Sequence, residues 1–137
     1  MSRGEIVIVS MFKRHTIQVI DDDASIRDST KLLLESFGFS VELFESASAY
    51  LDGGAVGNAD CLLLDVHMPG MTGLELLEVL RSRKVSIPTI VMTANGDHLV
   101  GRLHGAGAAS LLRKPFDEIE LVRQIKDACV LATRARK

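Results

Sequence analysis

The stretch CLLLDVHMPG, residues 61–70, runs four apolar residues into a single aspartate and then into a Met-Pro-Gly turn. Residues 61–64 show no alternation of polar and apolar side chains, which is typical of a strand buried on both faces of a parallel sheet. An ionised carboxylate is costly to bury without a partner. Asp65 is therefore expected at the end of this strand, where the buried sheet meets an aqueous edge.

Short apolar segments alternate with segments of helical periodicity on both sides of this stretch. Predicted strands cover residues 16–20, 39–44, 61–64, 87–92 and 110–112, and predicted helices cover 24–37, 46–51, 74–83, 97–108 and 117–132. The fourth helix is expected to be weak, because Gly101 and Gly105 each cost about 1 kcal/mol relative to alanine. The alternation predicts a doubly wound α/β domain, a parallel five-stranded sheet with helices on both faces.

The composition argues against two classes of function, nucleic-acid binding and membrane spanning. The chain has 137 residues, a length typical of one domain, and its formal net charge of -2 gives no overall basic excess. We therefore expect no direct nucleic-acid contact and, since no apolar run approaches about 18 residues, no membrane span. Cys61 and Cys129 lie among apolar neighbours and are interpreted as buried free thiols, which suits a reducing cytoplasm.

The ends of the chain are interpreted separately from the domain. Residues 1–14 are treated as an N-terminal extension, disordered or of little role, because Met11 offers an alternative start and no signal peptide is evident. Residues 15–132 form the predicted domain. Residues 133–137 are interpreted as a basic, solvated C-terminal tail or the beginning of a linker.

Polar side chains follow four of the five predicted strands. They are Asp21, Asp22 and Asp23 after the first strand, Asp65 after the third, Thr93 after the fourth and Lys114 after the fifth. In doubly wound α/β folds, ligands bind beyond the carboxyl ends of the strands. These groups are therefore expected to converge on one functional edge.

The chemistry of this set suggests phosphoryl transfer. Clustered carboxylates repel one another unless a cation compensates them, and an all-oxygen donor set without histidine or cysteine fits Mg2+ better than zinc. The hydroxyl of Thr93 and the ammonium of Lys114 suit an Asp65 that becomes phosphorylated, since a phosphoryl group brings negative charge and three acceptor oxygens.

Four motifs in order, VIDDDASIR, LLLDVHMPGMTGLELL, PTIVMTANGD and LLRKPF, resemble the receiver domains of two-component response regulators. The resemblance covers about residues 15–132, and it is closest in look to receivers of nitrogen-fixation transcriptional regulators. It implies a flavodoxin-like (βα)5 fold with strand order 2-1-3-4-5. It also implies a cytoplasmic signalling protein that receives its phosphoryl group from a sensor histidine kinase.

The resemblance further implies a role for each matching residue. Asp65 would be the phosphoacceptor, Thr93 the switch hydroxyl and Lys114 the lysine that pairs with the phosphate, next to a cis Lys114–Pro115 bond. Mg2+ would be held by Asp65, by Asp22 directly, by Asp21 mostly through water, and by the backbone carbonyl of His67. A homodimer would form through helix 4, strand 5 and helix 5.

Three alternatives stay open at this point. Asp23 is either a metal ligand or the cap of the first helix. Leu111 occupies a position where the family usually has Tyr or Phe, so the switch is expected to rely on the loop after strand 4 and the weak fourth helix.

Two other function classes are a pseudo-receiver that is never phosphorylated and a Mg2+-dependent phosphohydrolase. The latter usually has a second acid where this chain has His67, so we expect no classical enzyme, only self-catalysed phosphorylation and slow autodephosphorylation.

Overall fold

The computed structural model describes residues 14–94 and 98–135. Its elements in chain order are β1 (Thr16–Ile20), α1 (Ala24–Ser36), β2 (Ser40–Phe44), α2 (Ala47–Asp52), β3 (Cys61–Asp65), α3 (Gly73–Ser82), β4 (Thr89–Thr93), α4 (Val100–Gly105), β5 (Ser110–Arg113) and α5 (Glu118–Ala135). The predicted extension falls almost entirely on residues 1–13, which lie outside the described residues.

The five strands form one parallel sheet in the order β2-β1-β3-β4-β5, which confirms the predicted fold class and strand order. Parallel pairing brings the last residues of all strands to one side, the carboxyl edge, and the first residues to the other side, the amino edge. β1 and β3 are neighbours at the centre of the sheet. Residues that follow these two strands are therefore close in space although they are far apart in sequence.

Two hydrophobic cores cover the two faces of the sheet. Leu62 and Leu64 of β3 point into a core built with α2, α3 and α4, whereas Cys61 and Leu63 point into a core built with α1 and α5. All four side chains are fully buried. Burial of one leucine contributes roughly 1.5–3 kcal/mol, so the strand without alternation stabilises both layers at once.

The helix starts follow capping chemistry. Asp23 caps α1 and accepts hydrogen bonds from the backbone N–H groups of Ser25 (2.9 Å) and Ile26 (3.2 Å). Ser46 caps α2 as predicted, and Thr72 and Glu75 form a capping box at the start of α3 that the sequence analysis did not identify.

Three elements differ from their predicted bounds by more than one residue at one end or both, and the other seven agree to within one residue. The fourth helix is limited to Val100–Gly105, because two glycines and a start without a side-chain cap leave it weak. β4 runs from Thr89 to Thr93, so Thr93 is the last strand residue and does not follow the strand. α5 continues to Ala135, so three residues that were placed in the tail are helical; the alanine-containing sequence favours this extension.

Two side chains near the helix ends and strand starts make contacts between elements. Phe37 follows α1 and is 53% exposed, with Lys126 Nζ 6.0 Å from its ring centroid. His15 precedes β1, and its Nδ1 lies 3.5 Å from a carboxylate oxygen of Asp60. Both cysteines are buried and neither forms a disulfide bond, as predicted. None of the described helices combines the length and the apolar character needed to cross a membrane.

Candidate functional site

Three carboxylates meet at the carboxyl edge, where β1 and β3 end side by side. Asp21 directly follows β1 and is fully buried, Asp65 ends β3 and is 5% exposed, and Asp22 is exposed. Each offers one carboxylate oxygen within 4.8 Å of the others. Asp23 does not belong to this group, because it caps α1. The structure therefore divides the acidic triplet into the buried site residue Asp21, the exposed site residue Asp22 and the capping residue Asp23.

Backbone amides hold the two buried carboxylates in place. Asp21 Oδ1 accepts a hydrogen bond from the N–H of Asp23 (2.9 Å), and Asp65 Oδ1 accepts one from the N–H of His67 (3.2 Å). Arg27 of α1 donates to the carbonyl oxygen of Asp21 at 2.7 Å. One oxygen of each carboxylate is thus bound by the backbone of the loop that follows its own strand, and the other oxygen of each lies near the ammonium of Lys114.

Lys114 supplies a positive charge to both buried acids. It directly follows β5, and its Nζ lies 3.2 Å from Asp21 Oδ2 and 3.5 Å from Asp65 Oδ2. The backbone N–H of Lys114 donates to the carbonyl of Thr93 (2.8 Å), and its bond to Pro115 is cis, as the resemblance implied. The lysine thus bridges acids that come from two other strands.

The electrostatics of the cluster favour binding of a further cation. Burial and then the neighbouring charge of Asp21 raise the pKa of Asp65 to about 6, although Lys114 and the N–H of His67 act in the opposite direction. Three carboxylates face one ammonium, so one cation compensates them incompletely. The donors are oxygen atoms, and one side of the cluster is open at Asp22. These residues fit Mg2+, which prefers oxygen ligands and keeps several waters.

Thr93 and Leu111 occupy neighbouring strands beside this cluster. Thr93 is 4% exposed, and its hydroxyl has no hydrogen-bond partner within the described ranges 14–94 and 98–135. β4 pairs Met92 with Asp65, so Thr93 lies one residue beyond the acid on the adjacent strand. Leu111 pairs with Val91 and packs, partly buried, on the core of α2, α3 and α4. The ring of His67 is exposed, and residues 95–97 of the TANGD motif lie outside the described residues.

Gly73 is a site residue whose role the sequence analysis missed. It is the first residue of α3, and a Cβ atom there would lie 2.6 Å from the carbonyl oxygen of Asp65 and 2.7 Å from Cα of Val66. Its N–H also donates to the carbonyl of Val66 (3.1 Å). Only glycine permits this approach. The available sequence signal was a glycine inside a Thr-x-x-Glu capping box, directly after the capping threonine, at a position where helices rarely favour glycine. Gly70, by contrast, has φ +76 and is a turn glycine.

Comparison with known proteins identifies relatives along most of the chain. A family model described as the response regulator receiver domain matches residues 17–126. The transcriptional regulatory protein FixJ of Bradyrhizobium diazoefficiens is 41% identical over 122 residues, which cover 88% of this chain and 60% of FixJ. The response regulator protein TodT of Pseudomonas putida is 37% identical over 121 residues, which cover 88% of this chain and 53% of TodT. The chain thus spans little more than half the length of these relatives.

The solved structures agree with these matches. The crystal structure of FixJ-N superposes with a TM-score of 0.78 at 32% sequence identity, covering 85% of this chain and 94% of that one. The regions shared with FixJ and TodT include both central strands and the loops that carry the acidic cluster.

Proposed function

Because this chain belongs to the response regulator receiver domain family and functions in phosphorelay signalling, we propose that Asp65 is the residue that accepts the phosphoryl group. The observation that carries this assignment is the position of Lys114, whose ammonium lies within 3.5 Å of the carboxylates of both Asp65 and Asp21. Lys114 carries one positive charge, so it compensates only one of the two carboxylate charges and a further cation can still bind. After phosphoryl transfer, the same ammonium can bind a phosphoryl oxygen.

The reaction uses the ionised carboxylate of Asp65 as nucleophile. One carboxylate oxygen forms a bond to phosphorus while the N–P bond of a phosphohistidine on a sensor histidine kinase breaks, and the imidazole leaves with the electron pair of that bond. The pKa of the Asp65 carboxyl is about 6, so most of this group is ionised at neutral pH. The hydrogen bond from the N–H of His67 fixes the orientation of the attacking group. Catalysis on the protein side then consists of positioning and charge neutralisation.

Receiver domains generally use Mg2+, and the residues that would hold it here are Asp21, Asp22, Asp65 and the backbone carbonyl of His67. When bound, the ion supplies charge neutralisation for the phosphoryl oxygens. Asp22 is exposed and is proposed as a direct ligand. Asp21 is fully buried and already accepts hydrogen bonds from Asp23 and Lys114, which supports a contact mostly through water.

The remaining site residues are proposed to couple phosphorylation of Asp65 to a change in the contacts of the domain. Thr93 is proposed to donate its hydroxyl to a phosphoryl oxygen, and Lys114 to pair with another. Because Leu111 offers no aromatic ring, the switch is proposed to act through the β4–α4 connection and through α4, which two glycines make easy to bias. The resulting change in contacts includes a homodimer through α4, β5 and α5.

This domain is not a classical enzyme. Self-catalysed phosphorylation and slow autodephosphorylation are part of the proposal, since the residue two positions after Asp65 is His67 and no second carboxylate stands there to drive turnover. A cytoplasmic location fits the two free cysteines and the kinase donor.

The test is incubation of the purified chain with a small phosphodonor and Mg2+, followed by intact-mass measurement and by peptide mapping. One persistent phosphoryl adduct on Asp65 is expected, and the Asp65→Asn variant should form none. The matched control is Asp23→Asn, which keeps a good helix cap and should be labelled normally. Absence of any adduct in the wild type would favour a pseudo-receiver, and rapid release of inorganic phosphate over many turnovers would favour a phosphohydrolase.

A further inference from the structure

A groove with a volume of about 830 Å3 lies at the amino edge of the sheet, at the opposite end of the strands from Asp65. It is bounded by the α3–β4 connection, the α4–β5 connection and the last part of α5, and we call it the amino-edge groove. Its walls include residues 85–89, residues 104–107 and residues 131–132. No residue of the acidic cluster contributes to it.

The lining of the amino-edge groove is mostly apolar. Its apolar lining residues include Leu77 and Leu80 of α3, Val85 and Ile87 of the α3–β4 connection, and Leu131 of α5. Leu131 is 51% exposed. An exposed apolar side chain beside a concave apolar surface is typical of a site where another chain docks.

Hydrogen bonds hold the walls of this groove in place. The guanidinium of Arg81 donates to the carbonyl of Gly105, which ties α3 to the end of α4. Gly57 also lines the groove, and its N–H donates to the hydroxyl of Tyr50 (3.1 Å), which in turn donates to Oε1 of Gln18 (2.7 Å). A binding surface that is fixed before its partner arrives loses less conformational entropy on association.

The charge of the groove is positive, although the chain has a formal net charge of -2. Arg81 and His104 line it, and Asp and Glu are absent from the lining residues that the structure describes. Asp60, next to the lining residue Ala59, is only 8% exposed, and its carboxylate accepts from the N–H of Thr16 at 2.9 Å. The bond from Arg81 to a neutral carbonyl leaves its charge uncompensated.

More cations surround the same end of the domain. Arg83 and Lys84 follow α3, and Arg102 lies in the last turn of α4; all three are exposed. The acids Asp21, Asp22 and Asp65 are at the far edge. Several exposed cations therefore lie around the α3–β4 and α4–β5 connections, at the opposite end of the strands from the acidic cluster.

We propose that the amino-edge groove binds an acidic, apolar peptide segment of a partner protein. Apolar side chains of that segment would enter between Leu80 and Leu131, and its carboxylates would pair with Arg81 and the neighbouring basic residues. A peptide fits better than duplex DNA, because the centre of the site is concave and apolar, whereas phosphate backbones are bound by projecting cations. The site shares no residue with the acidic cluster, but α4, the proposed switch element, contributes His104 and Gly105 to it.

The test measures binding of a fluorescein-labelled twelve-residue peptide of alternating leucine and glutamate to the full chain by fluorescence anisotropy. A peptide with lysine in place of glutamate serves as the charge control, and amide chemical-shift mapping locates the contact. Saturable binding of the acidic peptide, weakened by salt, with shifts at residues 85–89 and 104–107 is expected. Equal binding of the lysine peptide, or shifts confined to the carboxyl edge, would overturn the proposal.

Two variants and one control make the test specific to the groove. Arg81→Glu should weaken binding by about tenfold or more through charge reversal, and Ala109→Trp should block it by filling the groove. Lys31→Glu on α1 makes the same charge change elsewhere and should bind like the wild type. Thermal melting of each variant confirms that it is folded. Normal binding by a folded Ala109→Trp variant would also overturn the proposal.

Other occupants give distinct outcomes in the same assay. If the full chain fails to bind the peptide but a chain with Ile6→Ser and Ile8→Ser binds it, the N-terminal segment of the same chain is the occupant and the proposal is wrong. If a twelve-base-pair duplex binds with higher affinity than the acidic peptide and loses that affinity in Arg81→Glu, the surface is a nucleic-acid site and the proposal is wrong.

Discussion

A Cβ atom at Gly73 would lie 2.6 Å from the carbonyl oxygen of Asp65, so the start of α3 and the end of β3 are in direct backbone contact. This contact fixes the loop that carries His67, whose N–H orients the Asp65 carboxylate. The position of the proposed phosphoacceptor therefore depends on a residue that takes no part in its chemistry.

Gly73→Ala is expected to lower the free energy of unfolding by about 2 kcal/mol or more, because backbone atoms on both sides must move apart. Gly101→Ala in α4 is the matched control: no atom lies within 4 Å of the added Cβ, and helix propensity should stabilise it by up to about 1 kcal/mol. Urea denaturation measures both. Equal stability of Gly73→Ala and wild type would contradict the close approach.

Asp65→Asn is expected to stabilise the metal-free domain at pH 7.5 by about 1–3 kcal/mol. The pKa of Asp65 is about 6 in the folded state against a model value of 3.8, so the folded state binds this proton more tightly. The ionised carboxylate therefore opposes folding above pH 6, and this cost disappears as the pH falls from about 6 towards 3.8. The advantage of the asparagine variant should shrink over the same range.

Urea denaturation in EDTA at pH 7.5 and pH 4.5 checks this pH dependence. Asp28→Asn on the exposed side of α1 is the control and should change stability by less than about 0.5 kcal/mol at either pH. If Asp65→Asn is less stable than the wild type at pH 7.5, then burial of the Asp65 carboxylate and its repulsion by Asp21 are not the dominant effects on stability at this position.

Lys114→Met is expected to destabilise the metal-free domain by about 1–3 kcal/mol at pH 7.5, because Asp21 and Asp65 lose their shared ammonium. Addition of Mg2+ should recover part of the loss. Lys126→Met on the exposed face of α5 provides the control. Thermal unfolding with and without Mg2+ is the measurement, and an unchanged Lys114→Met variant in EDTA would mean that the bridge contributes nothing.

Millimolar Mg2+ is expected to raise the thermal midpoint of the wild type. At a free Mg2+ concentration of ten times the dissociation constant, binding should stabilise the folded state by about 1.4 kcal/mol. Asp22→Asn should weaken this response, whereas Asp23→Asn should preserve it, since Asp23 caps α1 and asparagine is an equally good cap. Calorimetry over a range of Mg2+ concentrations separates the two. A lost response in Asp23→Asn would return that residue to the metal site.

Tyr50→Phe is expected to cost about 1–3 kcal/mol, because it leaves the buried Oε1 of Gln18 and the N–H of Gly57 without their partner. Ser36→Ala is the comparison, since it removes an exposed hydroxyl that bonds only to its own helix. Denaturation of both variants gives the difference. If the two losses are equal, the buried network around Gln18 is not a stabilising feature.

The sequence was sufficient for the fold class and for the members of the carboxyl-edge cluster. Strand and helix periods differ, so their alternation is visible in a single chain, and parallel pairing then brings the ends of β1, β3, β4 and β5 together. The cap of α2 is visible in the sequence because Ser46 acts on a backbone group within three residues, whereas Asp23 stayed open between a helix cap and a metal ligand.

Tertiary structure alone decided which oxygen faces which partner. It divided the acidic triplet into the buried Asp21, the exposed Asp22 and the capping Asp23, and it placed Lys114 between acids of two other strands. It also created the amino-edge groove and the contact between Gly73 and Asp65. These features depend on distances between segments far apart in the chain, and such distances are set by packing of the two cores around the sheet. Local periodicity and capping rules reach only a few residues, so the sequence determined the elements and their order, while packing determined the distances between their side chains.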